Sequence, residues 1–424
     1  MATIMKTIEG STCGCDDPDH QTALISIDEA LRRILRGTQA VSETELVPLA
    51  QASGRILAVS VRSLGMVPPF DNAAMDGFAI NTAELSGEGP WTLAIGGRVA
   101  AGQTPMEKIP SKSAVQIFTG APVPDGANAV VMQEEVLRTG NSIHLKRRIT
   151  PGTHIRRAGE DMTAGKIIVP AGRALSSRDI AVCAAAGHAE VSVTRRIRVA
   201  LVVTGDEVVQ QGHVRGAAGI WDVNTPMLAA TVNSPDLELA SVDVAGDTRA
   251  ALRAQLNALA QQVDLIVTTG GISVGEEDHV KPALSDLGAT IAFSGVALKP
   301  GKPVSFGRVK KACWLGLPGN PLSAFVTWQL FGTAVRNALA GQTQSRVRRR
   351  NVVLPRALHH RPGRCELRLA RLAGFDGSGR EVVDFADATH SGRVAQLLEM
   401  DGLLFIPADV ETLPSGALVE FNPF

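Results

Sequence analysis

The hydrophobic pattern changes character several times along the chain. Residues 1–22 are polar and read as a flexible tail. In "SIDEALRRILRG" (26–37), Ile27, Ala30, Leu31, Ile34 and Leu35 recur at helical spacing, with Ser26 or Asp28 near the cap and Gly37 at the end. A second helix is expected over "VPLAQASGRILA" (47–58). From about Val59 to Ile149 the period shortens to alternating segments broken by Gly and Pro. There "WTLAIGGRVAAG", "SAVQIFTG", "NAVVMQEEV" and "SIHLKR" predict strands of a β-rich domain. Residues 165–194 return to a helix–turn–strand pattern, expected to pack with the first helices so that the β-rich stretch is an insertion.

From Arg196 to about Gly341 the pattern becomes strand–loop–helix. "IRVALVV" runs into "TGDE", "DLIVTT" into "GG", and "CWLGL" into "PGNP". Each strand is a nearly continuous apolar run, as strands buried on both faces require. The fold class expected is multidomain α/β, with a doubly wound central domain whose ligands bind at the carboxyl ends of the strands. A basic stretch, "RVRRR" (346–350), leads to a last β-rich segment. The division expected is a tail (1–22), a discontinuous linking domain (23–58 plus 164–195), a β-rich insertion (59–163), the α/β domain (196–345) and a C-terminal β-barrel-like domain (346–424).

Composition narrows the function. A chain of 424 residues is too long for one core and predicts roughly two to four domains. Lys+Arg (42) balances Asp+Glu (42), so no nucleic-acid partner is expected. Aromatics at 4% with no Tyr give no stacking platform for bases. No apolar run reaches the roughly 18 residues of a membrane span, and the N-terminus lacks the apolar region of a signal peptide. Cys13, Cys15, Cys183, Cys313 and Cys365 are too scattered for a disulfide framework, so a cytoplasmic location is expected. Cys13, Cys15, Asp16, Asp17 and His20 fit no standard zinc spacing and are assigned to the loose tail.

The chemistry concentrates at the strand ends. After the first strand, Asp206 and Glu207 are either helix-cap or solvated acids, or ligand contacts at the tip of a parallel sheet. After the next, Gly270, Gly271, Ser273 and Gly275 let backbone approach a phosphate, but the turn ends in Glu276, Glu277 and Asp278 where a common phosphate loop has Lys-Ser/Thr. Asp278 serves either as a helix cap or, with phosphate oxygens, as a ligand for Mg²⁺. Pro318, Asn320 and Pro321 describe a helix start whose N–H groups face the same edge. Lys299 and Lys302 flank a Pro-Gly turn, Asp222 and Asn224 precede a helix opened by Pro226, and Asp247 follows "ELASVDVA" as a cap or a ligand.

Taken in order, "TGDE", "TTGGISVGEEDHVK", "LKPGKP" and "LPGNPLSAF", with "PPFDNAAMDGFAI" (68–80), "IFTGAPVPDGANAVVMQEE" (117–135) and "IRRAGEDM" (155–162), resemble the molybdopterin molybdenumtransferase family, bacterial MoeA and the gephyrin E domain, over residues 25 to 424. The resemblance implies a homodimer whose site lies between the α/β domain of one subunit and the insertion domain of the other. It implies joining of adenylylated molybdopterin and molybdate, with Mg²⁺-assisted hydrolysis and loss of AMP. It assigns Glu207, Asp247 and Asp278 to the nucleotide and the metal ion. Asp76, Thr119, Arg156 and Asp161 face the site from the insertion domain. Lys299, Pro318, Pro321 and Ser391 line the pterin and molybdate end. Molybdopterin adenylyltransferase and molybdoenzyme-maturation proteins are the implied partners. The chain departs from the family at Gly295, where many relatives carry Lys, at Phe78, where many carry Tyr, and in the loosely matching "THSGRV" (389–394). Competing readings are a paralogue that inserts tungstate, a single-domain adenylyltransferase, which the extra domains disfavour, and a non-catalytic scaffold, which would be expected to lose its strand-end acids.

Overall fold

The structure, a computed structural model, describes residues 24–104, 108–205, 207–246, 248–272, 278–343, 350–387 and 390–424. The Cys13/Cys15 tail, Asp206, Asp247, Ser273, Gly275, Glu276 and Glu277 lie outside the described residues. Three six-stranded sheets carry the architecture. The insertion sheet is built from β1 (Gly77–Ile80), β2 (Trp91–Val99), β3 (Ser113–Ile117), β4 (Ala129–Met132), β5 (Leu137–Thr139) and β6 (Ser142–Leu145), in the order β4-β1-β3-β2-β6-β5. Alternate residues serve opposite cores, except in β2, where the register shifts between Ile95 and Gly97. Phe78, Ile80, Ala114 and Val131 fill one core, and Ala79, Val115, Ile117 and Val130 fill another on the opposite face.

The central sheet comprises β7 (Ile197–Val203), β8 (Leu237–Val244), β9 (Leu265–Thr269), β10 (Thr290–Ser294), β11 (Ser305–Val309) and β12 (Ala312–Leu317), in the order β8-β7-β9-β12-β11-β10. Only β11 runs against the others. Ile197, Val199, Leu201, Val267 and Leu315 face a core shared with α1 (Ile27–Gly37), α3 (Asn224–Val232), α6 (Pro321–Thr327) and α7 (Thr333–Leu339). Ala200, Val202, Ile266 and Trp314 face α4 (Arg249–Leu259) and α5 (Val280–Asp286). Apolar side chains on both faces are what a sheet covered by helices on each side demands, and each fully buried leucine contributes about 1.5–3 kcal/mol. The chain passes from β7 to its neighbour β8 and then back across β7 to β9, so the connections diverge at the carboxyl ends of β7 and β9.

The expected helix over 26–37 is present as α1, with Ser26 Oγ accepting from the Glu29 amide. The second expected helix, over 47–58, is not: Thr44–Pro48 is a strand, followed by a single 3₁₀ turn at Leu49–Gln51. Apolar residues at helical intervals misled there. Gly54 sits in left-handed backbone (φ +77°) that a helix does not continue through, and Thr44–Pro48 finds its hydrogen bonds by pairing antiparallel with Glu190–Thr194. Val47, Ala52 and Leu57 share a core with Val169, Leu175, Cys183 and Val191. Residues before and after the insertion therefore pack together.

That small core is closed by α2 (Ser177–Ala185). The Asp179 carboxylate accepts from the Ser176 amide at 2.9 Å and hydroxyl at 2.5 Å, and pairs with Arg173. Burial alone would raise its pKa, but the Ser176 bonds and Arg173 outweigh burial and hold it below its ordinary 3.8. The sign follows. The contribution is complete above the unfolded carboxylate value and is lost as pH falls through the lower folded value. Asp179→Ala is expected to cost about 1–2 kcal/mol at neutral pH, and its deficit against the parent, measured by urea melts, should shrink toward zero below that range.

In the C-terminal region β13 (Arg350–Val353), β14 (Cys365–Phe375), β15 (Glu381–Phe385), β16 (Gly402–Ile406) and β17 (Leu418–Pro423) close into a five-stranded barrel, β14-β15-β13-β17-β16-β14. Val352, Leu354, Val383, Leu404 and Phe421 fill its interior. Among the described residues no helix is long and apolar enough to cross a membrane.

Candidate functional site

Three turns meet where β7, β9 and β12 end. Gly270 (φ +88°) and Gly271 (φ +60°) follow β9 in left-handed backbone that side chains rarely adopt. A Cβ on Gly270 would stand 2.8 Å from the Thr204 carbonyl oxygen, and one on Gly271 would stand 2.9 Å from Thr204 Oγ1. A Cβ on Gly319 would lie 3.6 Å from Gly270 Cα. Gly270 and Gly271 thus allow the "GG" and "TGDE" turns to pack backbone on backbone, and the "PGN" turn lies in ordinary van der Waals contact with Gly270. Hydrogen bonds fix the stack: Thr204 N donates to Thr269 O at 3.2 Å, Gly270 N to Leu317 O at 3.2 Å, and Thr269 Oγ1 to Pro318 O at 3.2 Å.

Asn224 ties all of this to α3. Its Nδ2 donates at 2.7 Å both to Thr269 Oγ1 and to Gly319 O, while its Oδ1 is buried with no hydrogen-bond partner among the described residues. Asn224 precedes the helix in the sequence reading; in the structure it is the first helical residue, and Asp222 supplies the cap by accepting from Thr225 N at 3.0 Å. The sequence offers Asn224 as a ligand contact rather than as a bridge between turns, and Thr204 and Thr269 did not stand out as site residues. The available signal was a short polar residue at the end of each apolar strand.

The acids stand around this stack. Glu207 is exposed, and its carboxylate occupies the space that a side chain on Gly205 would need, 2.7 Å from the Cβ position. Asp278 is half-buried just ahead of α5. Burial pushes the Lys281 ammonium below its ordinary pKa, and the charge of Asp278 opposes that shift. Among the described residues no three His, Cys, Asp or Glu side chains converge to hold a metal ion by themselves. Two oxygen-donor carboxylates at a phosphate-type turn nonetheless suit Mg²⁺, which keeps several waters and takes its remaining ligands from substrate phosphates.

Pro318 is buried, Pro321 opens α6, and Leu322 N donates to Ser391 O at 3.1 Å, so the loop carrying Ser391 reaches the first turn of α6. Asn320 holds the N-cap position without a side-chain cap bond. Lys299 is placed beside Glu366 of the barrel, Nζ to Oε1 3.7 Å. On the insertion domain, Asp76 Oδ1 accepts from Thr119 N and Oγ1, each at 2.7 Å. The Thr119 amide, then its hydroxyl, holds the Asp76 carboxyl below its ordinary value. Arg156 and Asp161 are exposed. Arg156 pairs with Asn72, and Asp161 N donates to Val67 O at 3.0 Å, so their segment is laced to the stretch leading to Asp76. Phe78 is buried in the sheet core. The backbone of Gly295 is left-handed (φ +103°), and a side chain there would meet Leu24.

An α/β sheet with three turns converging at its carboxyl edge, a β-rich insertion and a closed barrel together define a multidomain α/β protein. Family models match residues 25–187 (MoeA N-terminal region, domain I and II), 200–337 (probable molybdopterin binding domain) and 351–424 (MoeA C-terminal region, domain IV). A molybdopterin molybdenumtransferase of Haemophilus influenzae is 36% identical over 322 residues, 76% of this chain and 79% of the relative. Molybdopterin molybdenumtransferase 2 of Mycobacterium tuberculosis is 34% identical over 382 residues, 88% and 93% of the two chains. The crystal structure of a molybdopterin biosynthesis moeA protein from Pyrococcus horikoshii OT3 superposes with a TM-score of 0.82 at 27% identity, covering 95% of this chain and 100% of that one. The chain belongs to the molybdopterin molybdenumtransferase (MoeA) family. It is a transferase of molybdenum cofactor biosynthesis.

Proposed function

We propose that this protein inserts molybdate into adenylylated molybdopterin, with Mg²⁺-dependent hydrolysis of the phosphoanhydride and release of AMP. The observation that carries the reading is the backbone-packed stack of Gly270, Gly271 and Gly319 at the point where the strand connections diverge. It brings main chain to the ligand edge of the sheet, where a phosphate is met by backbone rather than by bulky side chains, with Glu207 and Asp278 on the flanking turns. Glu207, Asp278 and Asp247 would hold Mg²⁺, which when bound neutralises phosphate charge and polarises the phosphoryl oxygen. Gly270, Gly271 and Ser273 cradle the AMP-side phosphate. Lys299, with Pro318, Pro321 and Ser391 around it, receives molybdate, a tetrahedral dianion that needs charged donors.

Asp76, Thr119, Arg156 and Asp161 complete the site from the insertion domain of a second subunit, which makes the working form a cytoplasmic homodimer. The Asp76–Thr119 contact supports this role: the acid fixes the hydroxyl and amide of an exposed threonine, so a rigid polar patch is presented outward. The tail, discontinuous linking, insertion, α/β and barrel divisions of the sequence reading are proposed as the domains. An adenylyltransferase supplying the activated pterin and maturation proteins accepting the product are the proposed partners.

Purified protein given adenylylated molybdopterin, Mg²⁺ and either molybdate or tungstate should form cofactor, scored by reactivation of a molybdoenzyme apoprotein, faster with molybdate. A preference for tungstate would make the chain a specialised paralogue. Tight pterin binding with no metal insertion would make it a scaffold.

A further inference from the structure

Behind Lys299 lies a buried ionic cluster that the proposed chemistry does not use. The loop from Gly295 to Val304 connects β10 to β11 at the same edge as the three turns. Within it Leu298–Lys299 pairs in parallel with Cys365–Glu366 at the start of β14, Lys299 opposite Glu366, and Cys365 N donates to Ala297 O at 3.0 Å. On its other side a Cβ at Gly301 would stand 2.4 Å from Thr327 of α6. The loop is clamped between the barrel and a helix, so the lysine backbone has little freedom.

Glu366 is 2% exposed, and a carboxylate so buried needs a partner. Arg368, 4% exposed, is that partner, with Nε 2.9 Å from Oε1. It also donates to the His359 carbonyl. His360 Nδ1 lies 3.7 Å from Oε2, and Lys299 Nζ 3.7 Å from Oε1. One carboxylate therefore faces two permanent cations, and one positive charge is in excess. Arg368 is enclosed, whereas the Lys299 side chain is 44% exposed. The excess appears at the strand edge, on the ammonium.

We propose that Glu366 is a positioning residue: reaching from the barrel, it sets where Lys299 presents its ammonium to a tetrahedral oxyanion at the strand edge. Arg368 keeps the carboxylate neutralised when the lysine turns to its ligand. This rests on the reading of Lys299 as an anion donor.

The test uses the full chain and molybdate alone as probe, by equilibrium dialysis, together with KM and kcat for molybdate in cofactor formation. Glu366→Gln leaves Arg368 buried without its carboxylate, so E366Q/R368M is measured beside it. Lys299→Met should weaken molybdate binding by about tenfold, and E366Q/R368M by about threefold to tenfold. The latter should raise KM while kcat stays within about twofold, and it should add nothing in the K299M background. An undiminished effect in that background, or a fall in kcat with KM unchanged, overturns the positioning role while Lys299 stands. Unchanged binding by K299M overturns the anion-donor reading and the positioning role together.

Discussion

Replacing Asp278 by alanine lowers molybdate-dependent turnover by about 10²–10³-fold, the scale of losing one preorganised charge contact at a reacting phosphate. Circular dichroism and the association state are unchanged. The loss is chemical because Asp278 stands outside the core, ahead of α5, whose N-cap residue His279 makes no side-chain cap bond and whose hold on the sheet comes from Val280, Ala283 and Leu284. One electrostatic side effect accompanies it. Lys281, already depressed by burial, loses the charge that opposes the depression, so its pKa falls further. Asp278→Asn isolates the loss of charge from the loss of volume and should be nearly as inactive. Steady-state turnover of either variant within about threefold of the parent would remove Asp278 from the chemistry.

Gly270→Ala is expected to reduce turnover by more than about tenfold and stability by about 2–4 kcal/mol. Two causes add. The φ of +88° strains any side-chain-bearing residue, and the new methyl would lie 2.8 Å from the Thr204 carbonyl oxygen, forcing two turns of the site apart. Gly416→Ala separates the causes. It has a similar φ of +82°, in the barrel, with nothing within 4 Å of the added carbon. That substitution should cost only about 1 kcal/mol and leave turnover alone. Thermal melts and turnover on both proteins decide the matter; equal losses would mean that backbone strain alone accounts for Gly270.

The three inner strands β7, β9 and β12 were legible because burial on both faces writes itself as unbroken apolar runs such as "IRVALVV", whereas the edge strands β8 and β10 alternate or lie largely exposed. The turns after them were legible because only glycine and proline suit the required backbone. Residues 47–58 were misread, since the same apolar spacing serves a strand and a 3₁₀ turn when a distant strand, Glu190–Thr194, offers the hydrogen bonds. Individual site positions could be matched by resemblance, but their contacts could not. Asp76 meets Thr119 across 43 residues, and no local spacing records that. The amide of Asn224 reaches Thr269 and Gly319 only because three loops converge in space. Lys299 read as a surface donor beside a Pro-Gly turn, whereas its setting is decided by Glu366 on another domain.

AMP release in a single turnover reports on the proposed reaction with the fewest intervening steps. Enzyme in excess is mixed with adenylylated molybdopterin and Mg²⁺, with and without molybdate, and AMP is quantified against molybdenum bound to the pterin. A rise in AMP is expected that requires both the metal ion and molybdate, one AMP accompanying each molybdenum inserted, and that is about 10²–10³-fold slower in the Asp278→Ala variant. Molybdenum insertion without AMP, or AMP release indifferent to molybdate and to Asp278, would contradict it.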